Sequence, residues 1–92
     1  MNKYGLKRVG AFAEGKDIFV PRGQGVGLGT LAHEVKHVSQ YLRAPEFYAA
    51  RYEAAFQAGI ARGLSPADAY AVNGYEIRAF QTAQDVLRAN SP

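Results

Sequence analysis

His33-Glu34-Val35-Lys36-His37 sits inside a run whose apolar residues recur at helical intervals, and this pairing constrains the chain more than any other feature. Leu31, Val35, Val38 and Leu42 follow one another at spacings of four, three and four, the period of one helix face. On such a helix, residues four apart project from the same side, about 6 Å from each other, so His33 and His37 share a face. His33 stands two residues from Leu31, about 200° round the helix. The spacing therefore predicts an apolar core stripe on one side and His33, His37 and Gln40 on the other. The two histidines are the whole histidine content of the 92 residues.

Two imidazoles at that separation can ligate one zinc ion, with Zn–N distances of about 2.0–2.1 Å. Glu34 directly follows the first histidine. Its carboxylate points beside such an ion, where it can hold and deprotonate a bound water. Average composition makes a chance His-Glu-x-x-His in a chain this short a roughly few-per-thousand event. The plain alternative is a solvated helix face on which Glu34 and Lys36 are surface charges. A catalytic zinc site needs a third protein ligand and an open fourth position. With no cysteine and no further histidine, that ligand has to be a carboxylate. Glu46, Glu53, Asp68, Glu76 and Asp85 follow the motif. Glu46 suits the first turn of a helix, and Asp68 suits a capping box. Glu76 heads the stripe 76, 80, 83, 87 and so points inward, where a charge needs a partner. Asn73-Gly74-Tyr75-Glu76 also reads as a capping box.

The rest of the chain predicts a single α+β domain over residues 1–92, a hairpin followed by about four helices. Residues 1–22 form the hairpin: Val9, Ala11 and Phe12 lead to a turn at Glu14-Gly15-Lys16, and Ile18-Phe19-Val20 returns. Pro21 ends the second run. Residues 23–29 carry glycine at every second position. That spacing fits no phosphate-binding motif and suits a flexible connection that opens a cleft. The histidine helix spans 30–43. Residues 45–90 are helical, beginning with a helix over 45–62 that carries Tyr48, Tyr52, Phe56 and Ile60 every four residues. A short helix opens at Ser65-Pro66-Ala67-Asp68, and the last helix runs over 75–89.

Charge is uneven. Residues 1–22 hold five basic and two acidic side chains, among them Lys3, Lys7 and Arg8, whereas residues 23–92 are balanced. A basic segment can touch phosphate, but no aromatic stacking pattern accompanies it, so nucleic acid is not the expected partner. No stretch approaches the roughly 20 apolar residues of a membrane span, and Met1–Arg8 lacks the apolar run of a signal peptide. Absence of cysteine fits a cytoplasmic protein or part of a larger delivered one.

Leu31-Ala32-His33-Glu34-Val35-Lys36-His37-Val38-Ser39-Gln40-Tyr41, with Tyr75-Glu76-Ile77-Arg78-Ala79 downstream, resembles the short gluzincin-type metallopeptidase-like domains of bacteria. The likeness covers about residues 16–85. It implies zinc held by His33, His37 and Glu76, with Glu34 as general base and then proton donor in hydrolysis of a peptide or protein substrate. It also implies that the substrate lies along an edge strand, for which Ile18-Phe19-Val20 is the candidate. Tyr41, Tyr70, Tyr75 and Arg78 are candidates to stabilise the oxyanion. Gluzincins often carry an aspartate four residues after the ligand glutamate, to orient a zinc histidine. Phe80 occupies that position here, with Gln81 and Asp85 nearby. The competing expectation is a domain in which zinc only staples two helices, as a structural or interaction module of a larger bacterial protein.

Overall fold

The computed structural model describes residues 11–23 and 25–91. β1 (Phe12–Glu14) and β2 (Asp17–Phe19) form an antiparallel pair, followed by α1 (Leu28–Arg43), α2 (Tyr48–Ala61), α3 (Pro66–Ala71) and α4 (Gly74–Ala89). This is the expected α+β arrangement. Residues 1–10, including Val9 and the basic Lys3, Lys7 and Arg8, lie outside the described residues.

The hairpin follows from its turn. Glu14 pairs with Asp17, which leaves Gly15-Lys16 as a two-residue connection, and Gly15 takes φ 62°, a conformation that glycine adopts without steric cost. Phe12 and Phe19 stack across the strands at 5.3 Å. Because the pair next to such a turn exchanges the ladder hydrogen bonds, the next residue along, Ala13, directs its N–H away from β2.

The helix ends are equally local. α2 stops in a Schellman arrangement: the Gly63 N–H donates to the Ile60 carbonyl and the Leu64 N–H to the Gly59 carbonyl, with Gly63 at φ 89°. Gly63→Ala should therefore destabilise by about 1–2 kcal/mol, read as a lower urea midpoint at unchanged slope. α3 starts on Ser65, whose Oγ accepts the Asp68 N–H at 3.1 Å, with Pro66 at its first position. α4 starts on Asn73, whose Oδ1 accepts the Tyr75 N–H at 3.0 Å. Within α2, a Cβ on Gly59 would stand 2.9 Å from the Ala69 Cβ, so glycine lets α3 seat directly on α2.

The main packing joins α1 to α4, which run antiparallel. Gly29 near one end of α1 meets Leu87, and Gln40 near the other bonds the Tyr75 carbonyl. Here the expected core stripe of α1 is overturned. Val35 is 51% and Leu42 59% exposed; Leu31 is exposed and Val38 half-buried. His33 and His37, at 8% exposure each, are buried instead, as are Glu34 and Gln40. Among the described residues no element covers the side of α1 that carries Leu31, Val35 and Leu42. α4 lies on the side where every polar group finds a partner, which makes burial of that side affordable. Among the described residues the apolar core proper is small: Ala32, Phe56, Ala69 and Ala79. The α4 stripe 76, 80, 83, 87 is likewise only partly inward: Glu76 is buried and Ala83 half-buried, whereas Phe80 and Leu87 are exposed, and Ala79, off the stripe, is buried. Among the described residues no helix is long and apolar enough to cross a membrane.

Candidate metal centre

α1 carries His33 and His37 one turn apart, and α4 brings Glu76 against them from its first turn. Glu76 Oε1 lies 2.9 Å from His33 Nε2 and 2.8 Å from His37 Nε2, and the two nitrogens are 3.2 Å apart. Among the described residues these three are the group that could hold a metal ion. Of the other carboxylates, Glu46, Asp68 and Asp85 are exposed, and Glu53 accepts from Gln57 at 3.4 Å. The capping alternative for Glu76 is also resolved: Asn73 caps α4, while both Glu76 oxygens face the histidines and Tyr52.

The triangle fits a divalent ion. Ligands about 2.0–2.1 Å from a tetrahedral zinc lie about 3.3–3.4 Å from one another, so a displacement of a few tenths of an ångström would open these atoms to that spacing. Two imidazole nitrogens and a carboxylate oxygen are also the donor types that zinc prefers.

The surroundings set ring tautomers and orientation. Gln40 donates from Nε2 to the Tyr75 carbonyl at 3.0 Å, so its Oε1 turns to His37 and accepts from Nδ1 at 2.9 Å. That hydrogen bond directs His37 Nε2 to the cluster. The Tyr48 hydroxyl stands 3.3 Å from the same Nδ1. Phe80 meets the His33 ring edge-on, centroids 4.4 Å apart, so an aromatic contact holds the ring where a gluzincin would place an aspartate. Gln81 and Asp85 are exposed on α4 and take no such role. The sequence reading missed Tyr52, whose hydroxyl donates to Glu76 Oε2 at 2.5 Å. Its signal was available: tyrosine in an inward stripe needs a partner for its hydroxyl. The Asn73 side chain ties this level down by donating to the Tyr52 carbonyl.

Glu34 sits one residue past His33 and accepts the outward Ala13 N–H of β1 at 3.1 Å. The backbone group that reaches Glu34 thus belongs to β1 and not to Ile18-Phe19-Val20. Burial raises the Glu34 carboxyl above its ordinary range, against the opposing pull of His37 and His33. Of the tyrosines and the arginine considered for the oxyanion, Tyr70 lines the same cleft as His33 and Glu34. Tyr41 lies against Gly15, Tyr75 packs among Tyr48 and Tyr52, and Arg78 is exposed. Burial and the neighbouring Glu76 both hold the Tyr70 hydroxyl protonated, hence a donor.

Charge in the cluster gives a pH signature. Burial alone would raise Glu76, but hydrogen bonds from His33 and His37 outweigh it and hold the carboxyl down at about 2. For His37, burial is outweighed by the hydrogen bond and charge of Glu76, and its value is raised. A depressed acid stabilises the fold above its ordinary value near 4.5 and loses that contribution as pH falls toward 2. A raised histidine stabilises fully below 6.5 and loses its contribution as pH climbs through the raised value. The raised Glu34 works the other way from Glu76: its contribution is full below 4.5 and is lost as pH climbs from there through its raised value. Glu76 and His37 together favour the interval between about pH 4.5 and 6.5, and Glu34 moves the optimum of the metal-free protein toward the acid end of that interval. Zinc needs neutral imidazoles, so its presence should move the optimum to higher pH. Melting temperature against pH, with and without zinc, checks both statements.

Comparison of the chain with models of protein families, with characterised proteins and with solved structures returns no match.

Proposed function

We propose that this chain is a zinc-dependent peptidase of minimal gluzincin type. The observation that carries the reading is the convergence of His33 Nε2, His37 Nε2 and Glu76 Oε1 within 3.2 Å of one another beside a buried Glu34. His33, His37 and Glu76 would hold the ion. Zinc bound there supplies Lewis-acid polarisation of the scissile carbonyl and a lowered pKa for an attacking water.

The protein's own groups do the rest. Glu34 takes the proton of the attacking water and delivers it to the amine nitrogen as the C–N bond breaks. A carboxyl raised by burial is suited to both halves of that task. The Ala13 N–H keeps the carboxylate aimed. Tyr70 offers its hydroxyl to the carbonyl oxygen as negative charge grows there. Gln40 and Phe80 hold the two imidazoles in orientation.

A second reading, zinc as a non-catalytic staple, has its own support: the cluster ties α1 to α4 in a chain with a small apolar core. Glu34 favours the peptidase: its bond to the Ala13 N–H engages Oε1, and hydrolysis, unlike a staple, also uses the acid's capacity to take up and return a proton. A nucleic-acid module would rest on the basic segment, of which Lys3, Lys7 and Arg8 lie outside the described residues. The test is hydrolysis of casein or a peptide mixture that stops with a chelator and resumes when zinc is returned. Zinc uptake without hydrolysis would favour the staple.

A further inference from the structure

Glu76 is 3% exposed, and its two oxygens have different partners. Oε1 faces His33 Nε2 and His37 Nε2 at 2.9 and 2.8 Å. Oε2 accepts the Tyr52 hydroxyl at 2.5 Å, the short distance of a charge-assisted O–H···O bond. Gln40 and Phe80 orient the two imidazoles. Tyr52 makes the corresponding contact on the carboxylate.

Tyr52 is itself held at both ends. Its ring lies among those of Tyr48, Tyr75 and His37, with centroids 6.0, 6.0 and 6.5 Å away. Its backbone carbonyl accepts from Asn73 Nδ2 at 3.3 Å. The same Asn73 caps α4, its Oδ1 accepting the Tyr75 N–H, and Glu76 stands in the first turn beyond that cap. One buried side chain, 2% exposed, thus fixes the start of α4 against the level of α2 that carries Tyr52. The hydroxyl and the carboxylate it meets are held in register.

A carboxylate can meet a metal ion through one oxygen or through both. With Oε2 engaged by Tyr52, Glu76 presents Oε1 alone. Two imidazole nitrogens and one oxygen suit a four-coordinate ion with one position left open. Released from Tyr52, the same carboxylate can chelate, which suits ions such as manganese that prefer oxygen and take more ligands. We propose that Tyr52 is a positioning residue that sets the metal preference of this centre: by holding Glu76 Oε2 it restricts the carboxylate to one ligating oxygen and favours zinc over manganese. The proposal rests on the metal centre of the proposed function and not on the hydrolysis.

Tyr52→Phe removes the hydroxyl and keeps the ring among its neighbours. Two measurements on the full chain test the proposal. The first is the Kd for zinc and for manganese, by competition with a chromophoric chelator. The second is the visible absorption of cobalt-loaded protein, which is several times stronger for four-coordinate cobalt than for five- or six-coordinate cobalt. In the variant, zinc should bind about 10–100-fold more weakly, the usual cost of removing a ligand's hydrogen-bond partner. Manganese should lose less, so the preference for zinc should fall about tenfold, and the cobalt band should weaken. Asn73→Asp keeps an acceptor for the Tyr75 N–H and withdraws the donor from the Tyr52 carbonyl; it should move the preference the same way by a smaller factor. Tyr41→Phe, which removes a hydroxyl beside Gly15, should change neither measurement. Circular dichroism verifies helicity throughout. Equal loss of zinc and manganese with the cobalt band retained would make Tyr52 a packing contact only and overturn the proposal, as would a preference and a band unmoved in folded Tyr52→Phe. A wild type that takes up neither zinc nor cobalt would overturn the metal centre itself and the proposal with it.

Discussion

Glu34→Gln should lower peptide hydrolysis by about 10²–10⁴-fold, the range for loss of a positioned general base, while zinc content stays at that of the wild type. The substitution keeps shape and volume. A carboxamide oxygen can still accept the Ala13 N–H that holds the carboxylate, so the hairpin keeps its seat on α1. What disappears is proton affinity: glutamine cannot take a proton from water or return one to the leaving amine. The loss should fall on kcat, with KM little changed, because the missing interaction is made on the way to the transition state. Under the staple reading the same variant would match wild type in zinc content, melting temperature and background hydrolysis. Equal residual cleavage in variant and wild type would therefore remove Glu34 from the chemistry.

The parts of this molecule that could be read from the chain are those decided locally. Gly15, Gly63, Ser65 and Asn73 each act within about four residues of themselves, and each does what its type and position suggest. The histidine pair belongs to this class, since residues four apart on a helix share a side. The face on which α1 packs does not. Periodicity finds a helix and its two sides, but which side is buried depends on what arrives, and α4 brings Glu76 to the polar side. The stripe Leu31, Val35, Val38, Leu42 was therefore right as evidence of a helix and wrong as a core. Gln40 lies between these cases. It was placed on the histidine face, and its spacing of three from His37 makes the pair neighbours. That its oxygen turns to His37 depends on the Tyr75 carbonyl, which is 35 residues away in sequence.

Because the buried side of α1 is polar, stability of this chain should depend on the cluster far more than on its few core alanines. Ligand binding to the folded state alone adds about 4 kcal/mol when the free ligand stands a thousandfold above its Kd. In a chain of this size each kcal/mol moves the melting temperature by about 4–8 °C. Chelation should thus lower the melting temperature by at least about 15 °C. Glu76→Ala should lose the zinc and destabilise further. It leaves the half-buried Tyr52 hydroxyl without its acceptor and the two buried Nε2 atoms facing each other at 3.2 Å, a break of the kind that costs about 3–5 kcal/mol out of a total of about 5–15. Such a variant could simply unfold, so Glu76→Gln is the sharper test. Its carboxamide oxygen can still accept from Tyr52, but a neutral amide is a poor zinc ligand. The Gln variant should fold, bind little zinc and melt at the same temperature with or without chelator. Glu53→Gln, away from the cluster, should keep the full zinc-dependent shift. A wild-type melting temperature indifferent to chelator would sink the metal assignment for all three residues, since their contacts would then be a hydrogen-bonded polar core and nothing more.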